Sequence, residues 1–255
     1  MITIITPCFN NAATIAACLA SIYSQTYEDY EHIIIDGGST DNTLDIINLN
    51  VGHNRRVISE SDKGPYDAMN KGIALASGDV VGILNADDIY ADNLVLERIV
   101  NTFKNSDCDA CYGDLVYVQR ENPDKSVRYW RSGEYNAENL RRSWIPPHPT
   151  FYVRRDVYSQ FGLHDLCFRL AADYELMLRM LLRYEIKLSY INAVLVKMRL
   201  GGLTNRSFGN LICQNIEIIK ARRMHGLRSS AVYLVYKVIS RFKQYVCRLR
   251  SLLER

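Results

Sequence analysis

The 255 residues contain no apolar run approaching the roughly 20 that a membrane-spanning helix needs. The best candidate, residues 231–239, is short and carries Lys237. The amino terminus has no basic leader, and its apolar run has the length of a strand, so no secretory signal is expected. Phosphate-loop signatures are missing too. Neither GxGxxG nor GxxxxGK[ST] occurs, which speaks against an ordinary dinucleotide site and against a P-loop ATPase. Paired cysteines are scarce: the seven are odd in number and mostly scattered, as suits a reducing, cytoplasmic compartment. Cys108 and Cys111 form a CxxC, but no second pair completes a zinc site, and a strand follows where a redox motif would have a helix. Excess charge is small, 31 basic against 28 acidic residues, so the chain as a whole is not a polycation built to coat nucleic acid.

With 48% hydrophobic and 23% charged residues, the composition is that of a globular protein with ample material for a core. The length allows one large α/β domain with a short appendage. The basic excess is concentrated at the end. From Lys220 onward there are ten lysines and arginines and one acid, Glu254, which leaves the rest net acidic. In that tail Val232, Val235, Tyr236, Ile239, Phe242 and Val246 recur at helical spacing between basic residues. A basic amphipathic helix reads as a membrane-surface contact; the bland alternative is a helix packed on its own domain with a solvated basic face.

The first half alternates strand and helix patterns. Residues 2–6, 31–36, 57–60 and 80–84 read as strands. Between them Ile15, Cys18, Leu19 and Ile22 recur at helical spacing behind a cap at Asn10 or Asn11. A short helix begins at Thr43, and residues 66–76 form a helix closed by Gly78. Residues 93–103 read as another helix. This alternation predicts a largely parallel sheet with helices on both faces. The second half is less regular: strands over 110–118, 151–154 and 188–198, a helix over 173–184, and a helical tail from 210.

Four polar clusters follow the first four strands: Thr6-Pro7-Cys8-Phe9-Asn10, Asp36-Gly37-Gly38-Ser39-Thr40-Asp41, Glu60-Ser61-Asp62-Lys63-Gly64 and Asn85-Ala86-Asp87-Asp88. All four fall on the carboxyl edge of one sheet, where such folds bind nucleotides. Asp87 and Asp88 repel each other unless a cation bridges them, and hard oxygen ligands suit Mg²⁺ or Mn²⁺ shared with substrate phosphates. The competing reading is a capped helix start. Asp67, Asn70 and Lys71 share one helix face near its start and can meet a ribose or phosphate, or simply face water. Asp173 and Glu175 lie at another helix start, as a general base or as acids favoured by the helix dipole. His148, in Pro146-Pro147-His148-Pro149-Thr150, is presented by a backbone that the prolines hold extended.

These phrases, together with Asp62-Lys63-Gly64-Pro65-Tyr66-Asp67-Ala68-Met69-Asn70-Lys71-Gly72 and His148-Pro149-Thr150-Phe151, resemble the family-2 nucleotide-sugar glycosyltransferases of GT-A fold. Within them they are similar to the branch that assembles bacterial surface polysaccharides, of the colanic-acid type. The resemblance covers residues 1–205 and implies a GT-A domain there, with residues 206–255 as a helical basic extension. It implies nucleotide-sugar contacts from Thr6, Pro7, Asn10, Asp36, Asp62, Asp67, Lys71 and Asp87, a metal ligand in Asp88, and a catalytic base in Asp173. His148, Gly201 and Gly202 fall where such enzymes carry acceptor or phosphate loops. Gly37 stands where many relatives have a second acid that contacts uracil, and Ala172 precedes Asp173 where an acid is usual.

The implied activity is a metal-dependent, inverting transfer of a sugar from a nucleotide-diphosphate donor, UDP above others, to a lipid-linked or polysaccharide hydroxyl. The expected cofactor is Mn²⁺ or Mg²⁺, and the expected location is the cytoplasm at the inner face of the membrane, with no nucleic-acid partner. A sugar nucleotidyltransferase would need a glycine-rich basic loop after the first strand, which Thr6 to Asn10 does not provide. A catalytically silent sugar-nucleotide binder remains the rival of a different class.

Overall fold

The computed structural model describes residues 1–50, 52, 54–202, 207–227 and 233. The chain runs β1 (Ile2–Cys8), α1 (Ile15–Tyr23), β2 (Tyr30–Asp36), α2 (Thr43–Leu49), β3 (Arg55–Ser59), α3 (Pro65–Leu75), β4 (Val80–Ile83), β5 (Ile89–Tyr90) and α4 (Val95–Asn105). It continues with β6 (Ala110–Val118), β7 (Ser126–Trp130), α5 (Ala137–Arg142), a 3₁₀ turn (His148–Thr150), β8 (Tyr152–Arg154) and α6 (Arg155–Phe161). Among the described residues there follow α7 (Ala172–Leu178), which runs into a π-helical turn (Arg179–Arg183), β9 (Leu188–Arg199) and α8 (Phe208–Met224).

The described strands make one nine-stranded sheet in the order β3-β2-β1-β4-β8-β6-β9-β5, with β7 on β6. The half formed by β3, β2, β1 and β4 is parallel throughout, as the alternating pattern predicts. β8 then enters antiparallel to both β4 and β6, so the second half is mixed, with β6 and β9 parallel. Every residue of β1 is buried, as a strand covered on both faces requires. Its side chains alternate between layers. Ile4 packs with Cys18 and Ile22 of α1 and Leu96 and Ile99 of α4, whereas Ile5 joins the core containing α7 on the other face. In β2 the same period sends Ile34 toward α1 and Ile33 and Ile35 toward Ala68 of α3.

Local chemistry sets several boundaries. Gly64, at φ +116°, and Pro65 at the first helical position open α3. That helix ends one residue earlier than its pattern suggests. Ala76, not Gly78, is the cap, and it is extended. Gly78 serves a different need, because a Cβ there would stand 2.8 Å from the Thr3 backbone nitrogen. The sequence helix over 173–184 is divided between α7 and the π turn. Likewise α1 is capped at Thr14 without a side-chain bond, so neither Asn10 nor Asn11 is its cap residue.

α8 is packed into the domain rather than standing off it. Ile218 and Ala221 belong to the same core as Leu176, Met177 and Met180. Glu217 accepts hydrogen bonds from the backbone nitrogens of Arg169 and Leu170 at 3.0 and 2.8 Å. The buried Arg222 donates to the Tyr174 hydroxyl at 3.0 Å. The amphipathic stretch Val232, Val235, Tyr236, Ile239, Phe242 and Val246 lies outside the described residues. No helix among the described residues is long and apolar enough to cross a membrane.

Candidate active site

Register aligns the strand ends. Cys8 pairs with Asp36, and Asp36 with Ser59, so the loops after β1, β2 and β3 leave the sheet in one row. The fourth loop joins them through Leu84, whose nitrogen donates to the Ile5 carbonyl at 2.9 Å. The first two loops are stitched together. Asn10, at φ +53°, donates its backbone nitrogen to Ser39 Oγ at 2.8 Å and accepts from Thr40 N at 2.9 Å. Asp41 accepts from Ala12 N at 3.1 Å. Phe9, between them, is 56% exposed. An exposed aromatic beside a polar loop is a stacking surface for a planar ligand, and the sequence pattern did not single it out.

Several expected contacts face inward instead. Thr6 and Pro7 lie inside β1 and are buried, and the Thr6 hydroxyl bonds the His32 ring at 2.9 Å. Their side chains are therefore held within the sheet. Asp36 is fully buried. It accepts from Gly38 N, Ser39 N, Ser59 Oγ and the Ser39 hydroxyl. Burial alone would raise this carboxyl, but the hydrogen bonds from Ser39, Ser59 and Gly38 hold it below the usual carboxylate range. Asp36 thus shapes the loop as an anion.

The half-buried Asp62 accepts from Gly64 N at 2.8 Å and fills the space beside Gly37. Asp67 accepts from Lys63 N at 3.0 Å. Lys71 pairs with Glu60 at 2.8 Å, with Asp67 at 3.7 Å, and donates to the Ser61 carbonyl. These bonds fasten the third loop to α3. Asn70, on the same helix, is turned to His164, accepting from its backbone nitrogen at 2.9 Å and meeting its ring at 3.1 Å.

The acid pair is asymmetric. Asp87 is half-buried and Asp88 is buried at 1% exposure. Asp88 accepts from Asn85 Nδ2 and from the backbone nitrogen of Arg199, each at 3.2 Å. The Arg199 guanidinium donates to the carbonyls of Asp87 and Arg120. Burial, and then the neighbouring Asp87 charge, push the Asp88 carboxyl well above the usual range. Among the described residues neither acid forms an ion pair, and no group of three metal-type side chains occurs. Two adjacent carboxylates without a cationic partner suit a divalent cation whose other ligands come from a diphosphate and water. Gly201, at φ +98°, and Gly202 follow directly from the β9 end that touches Asp88.

Asp173 opens α7 on the same edge. Its Oδ1 accepts from the Tyr66 hydroxyl at 2.8 Å, and its Oδ2 lies 3.1 Å from His148 Nδ1. Tyr66 in turn stacks on His164, with centroids 5.4 Å apart. Burial keeps the Tyr66 hydroxyl well above its ordinary pKa, with Asp173 adding to the effect, so it remains a donor. Burial also lowers the His164 imidazole to about 4, leaving that ring neutral. The structure therefore joins Asp173 and His148, two residues that the sequence only set side by side as candidates. It adds Tyr66 and His164, whose places depend on contacts across the fold, and turns Asn70 toward His164.

Solved structures share this architecture. S. aureus TarS 1-349, solved with UDP-GlcNAc, superposes with a TM-score of 0.67 at 16% identity, covering 89% of this chain and 66% of that one. Glucosyl-3-phosphoglycerate synthase from Mycobacterium tuberculosis, solved with Mn²⁺, UDP and glucosyl-3-phosphoglycerate, gives a TM-score of 0.63 at 18% identity, covering 88% and 79%. The fold is thus that of the GT-A nucleotide-sugar transferases. Residues 3–169 match the family described as Glycosyl transferase family 2, and the chain belongs to it and is a glycosyltransferase. Among curated proteins it is 32% identical over 210 residues to a PGL/p-HBAD biosynthesis glycosyltransferase of Mycobacterium bovis (strain BCG / Pasteur 1173P2), covering 80% of this chain and 79% of that protein. It is also 30% identical over 221 residues to the chondroitin synthase of Pasteurella multocida (strain Pm70), covering 84% of this chain and 22% of that longer protein.

Proposed function

We propose that the protein moves a sugar from a nucleotide-diphosphate donor, UDP above other nucleotides, to a hydroxyl of a lipid-linked or polysaccharide acceptor, with inversion at the anomeric carbon. The observation that carries this reading is the sheet edge itself. It presents an acid pair at the end of β4 and, on α7, a carboxylate held by Tyr66 and His148. UDP is favoured because similar folds were solved with UDP and UDP-GlcNAc. The base would lie along Phe9 and face Asp62, with Asn10, Asp67 and Lys71 holding the loops around it.

Asp87 and Asp88 would hold Mg²⁺ or Mn²⁺, with the half-buried Asp87 as the outward ligand and the buried Asp88 behind it. When bound, the cation supplies Lewis-acid neutralisation of the departing diphosphate. On the other side of the sugar, the acceptor hydroxyl loses its proton to the Asp173 centre. Its oxygen attacks the anomeric carbon, and the bond to the diphosphate breaks with the electron pair leaving on the nucleotide. Gly201 and Gly202 would lie beside the phosphates or the acceptor. The basic tail would bring the enzyme to anionic lipid at the inner face of the cytoplasmic membrane, each lysine or arginine that reaches the headgroups contributing about 1 kcal/mol; the buried Arg222 is not among them.

The test is a donor screen with UDP-, GDP- and dTDP-sugars, Mg²⁺ or Mn²⁺, and membrane lipid extract, reading nucleoside diphosphate release. Release from one donor, lost in D87A and D173N, is expected. Tight UDP binding with no release from any donor would instead identify a silent sugar-nucleotide binder.

A further inference from the structure

Asp173 is the carboxylate from which a general base is expected, yet it is not the most accessible basic group in its own cluster. Its side chain is 19% exposed, and each oxygen already has a donor, Tyr66 on Oδ1 and His148 on Oδ2. The His148 ring is 32% exposed. Because a carboxylate only accepts, the histidine nitrogen facing it, Nδ1, carries the hydrogen. In the neutral ring Nε2 then carries the lone pair, and no described group bonds to it.

The scaffold fixes that orientation from both sides. His148 opens a 3₁₀ turn between Pro147 and Pro149. The Thr150 hydroxyl braces the turn against the Pro147 carbonyl at 2.8 Å and the Gly113 carbonyl at 3.1 Å. On the other side Tyr66 is locked by its stack on His164, which Asn70 grips through both its backbone and its ring. A carboxylate on Nδ1, a fixed ring and an exposed Nε2 form the arrangement in which an imidazole takes a proton while the acid orients it and stabilises the resulting cation.

We infer that Asp173 and His148 work as a dyad in which His148 Nε2 accepts the proton of the acceptor hydroxyl and Asp173 is the positioning residue. This rests on the transferase reading above and refines it. The O–H bond breaks toward Nε2, and the oxygen forms its bond to the anomeric carbon. The nucleoside diphosphate leaves with the electrons of the broken C–O bond. The imidazolium returns its proton to solvent after products depart.

The discriminating variant is H148N. Asparagine can still donate to Asp173 from its amide but has nothing in the place of Nε2. Full-length wild type, H148A, H148N and D173N would be assayed with the UDP-, GDP- and dTDP-sugar panel and lipid extract. UDP affinity would be measured in parallel by calorimetry with Mg²⁺. The dyad expects H148A and H148N to lose roughly 10²–10⁴ in kcat with KM and UDP affinity unchanged. It further expects added imidazole to restore turnover to H148A but not to D173N. H148N turning over at the wild-type rate would overturn the dyad and leave Asp173 itself as the base. A wild-type protein that turns over no donor would overturn the transferase reading and the dyad together, whereas an active wild type with an active H148N overturns the dyad alone.

Discussion

Asp62 occupies the space that a side chain on Gly37 would need. Its Oδ2 lies 2.5 Å, and its Cγ 3.0 Å, from the place a Cβ on Gly37 would take. An acid therefore stands beside the second loop although that loop has glycine there, and it arrives from the loop after β3. Asp62→Ala should weaken UDP binding by roughly ten- to a hundredfold, the worth of one hydrogen bond to a charged group, and leave kcat nearly unchanged. Calorimetry with UDP and GDP checks this, and equal UDP affinity in the variant would remove Asp62 from base recognition. Gly37→Asp should restore binding only when combined with Asp62→Ala, since the two carboxylates compete for one place.

The unequal burial of the acid pair separates their variants. Asp87→Ala should abolish the response to Mg²⁺ or Mn²⁺ while leaving the fold intact, because its side chain reaches the surface. Chelation of the wild type should reproduce that loss. Nucleoside diphosphate release across a metal titration reads both, and full activity in excess chelator would rule out the cation altogether.

Two buried histidines make stability sensitive to acid. Burial lowers the His32 imidazole to about 3 and that of His164 to about 4. Above about pH 6.5 both folded and unfolded chains hold these rings neutral, and stability has its full value. Below that the unfolded chain takes up protons that the folded chain refuses until about pH 4 or 3. Stability should therefore fall as the pH drops through this window, by up to about 3 kcal/mol for His164. Urea midpoints at pH 7.5 and 5 measure the slope. His164→Asn should reduce it, leaving the share that His32 contributes, and an unchanged slope would mean that the His164 ring titrates normally.

α8 is bound to the core by Ile218, Ala221, Glu217 and Arg222, and this gives unequal outcomes to two truncations. A chain ending at residue 227 keeps α8 but loses the buried Tyr233, which packs on Tyr174 and Arg222, so it should fold with a lowered melting temperature and lose affinity for anionic vesicles. A chain ending at residue 205 should lose several kcal/mol or fail to fold, because the covered face of α7 would be bared. Thermal melts and vesicle sedimentation distinguish these cases. Equal vesicle binding by the 227-residue chain would place the membrane contact elsewhere.

Strand existence in the parallel half was readable because buried strands need continuous apolar runs; in the mixed half 110–118 also matched β6 to the residue. β5 has two residues and β7 carries Arg128 amid half-exposed neighbours, so neither leaves a periodic trace. α5 and α6 are six and seven residues long, too short for a clear helical repeat. At the site, the polar loops and both acid positions were legible from spacing after each strand. Which acid faces outward was not, since Asp88 is covered by a residue 111 positions away. The Tyr66–Asp173 bond likewise spans 107 positions. The end of β1 was not legible either: the strand runs two residues beyond Thr6 and turns the Thr6 hydroxyl toward His32, 26 positions away.

The helix that carries Asp173 also carries Glu175, which is buried and bonded both to Arg179 and, through 3.0 Å, to His225 just past the end of α8. The helix that presents Asp173 is therefore tied to α8 through Glu175 and His225, not only to the loops beside it. If Asp173 serves the acceptor as proposed, its alignment is set from behind: His225→Ala, remote from any sugar, should lower turnover by letting α7 tilt, with α8 acting as its jig.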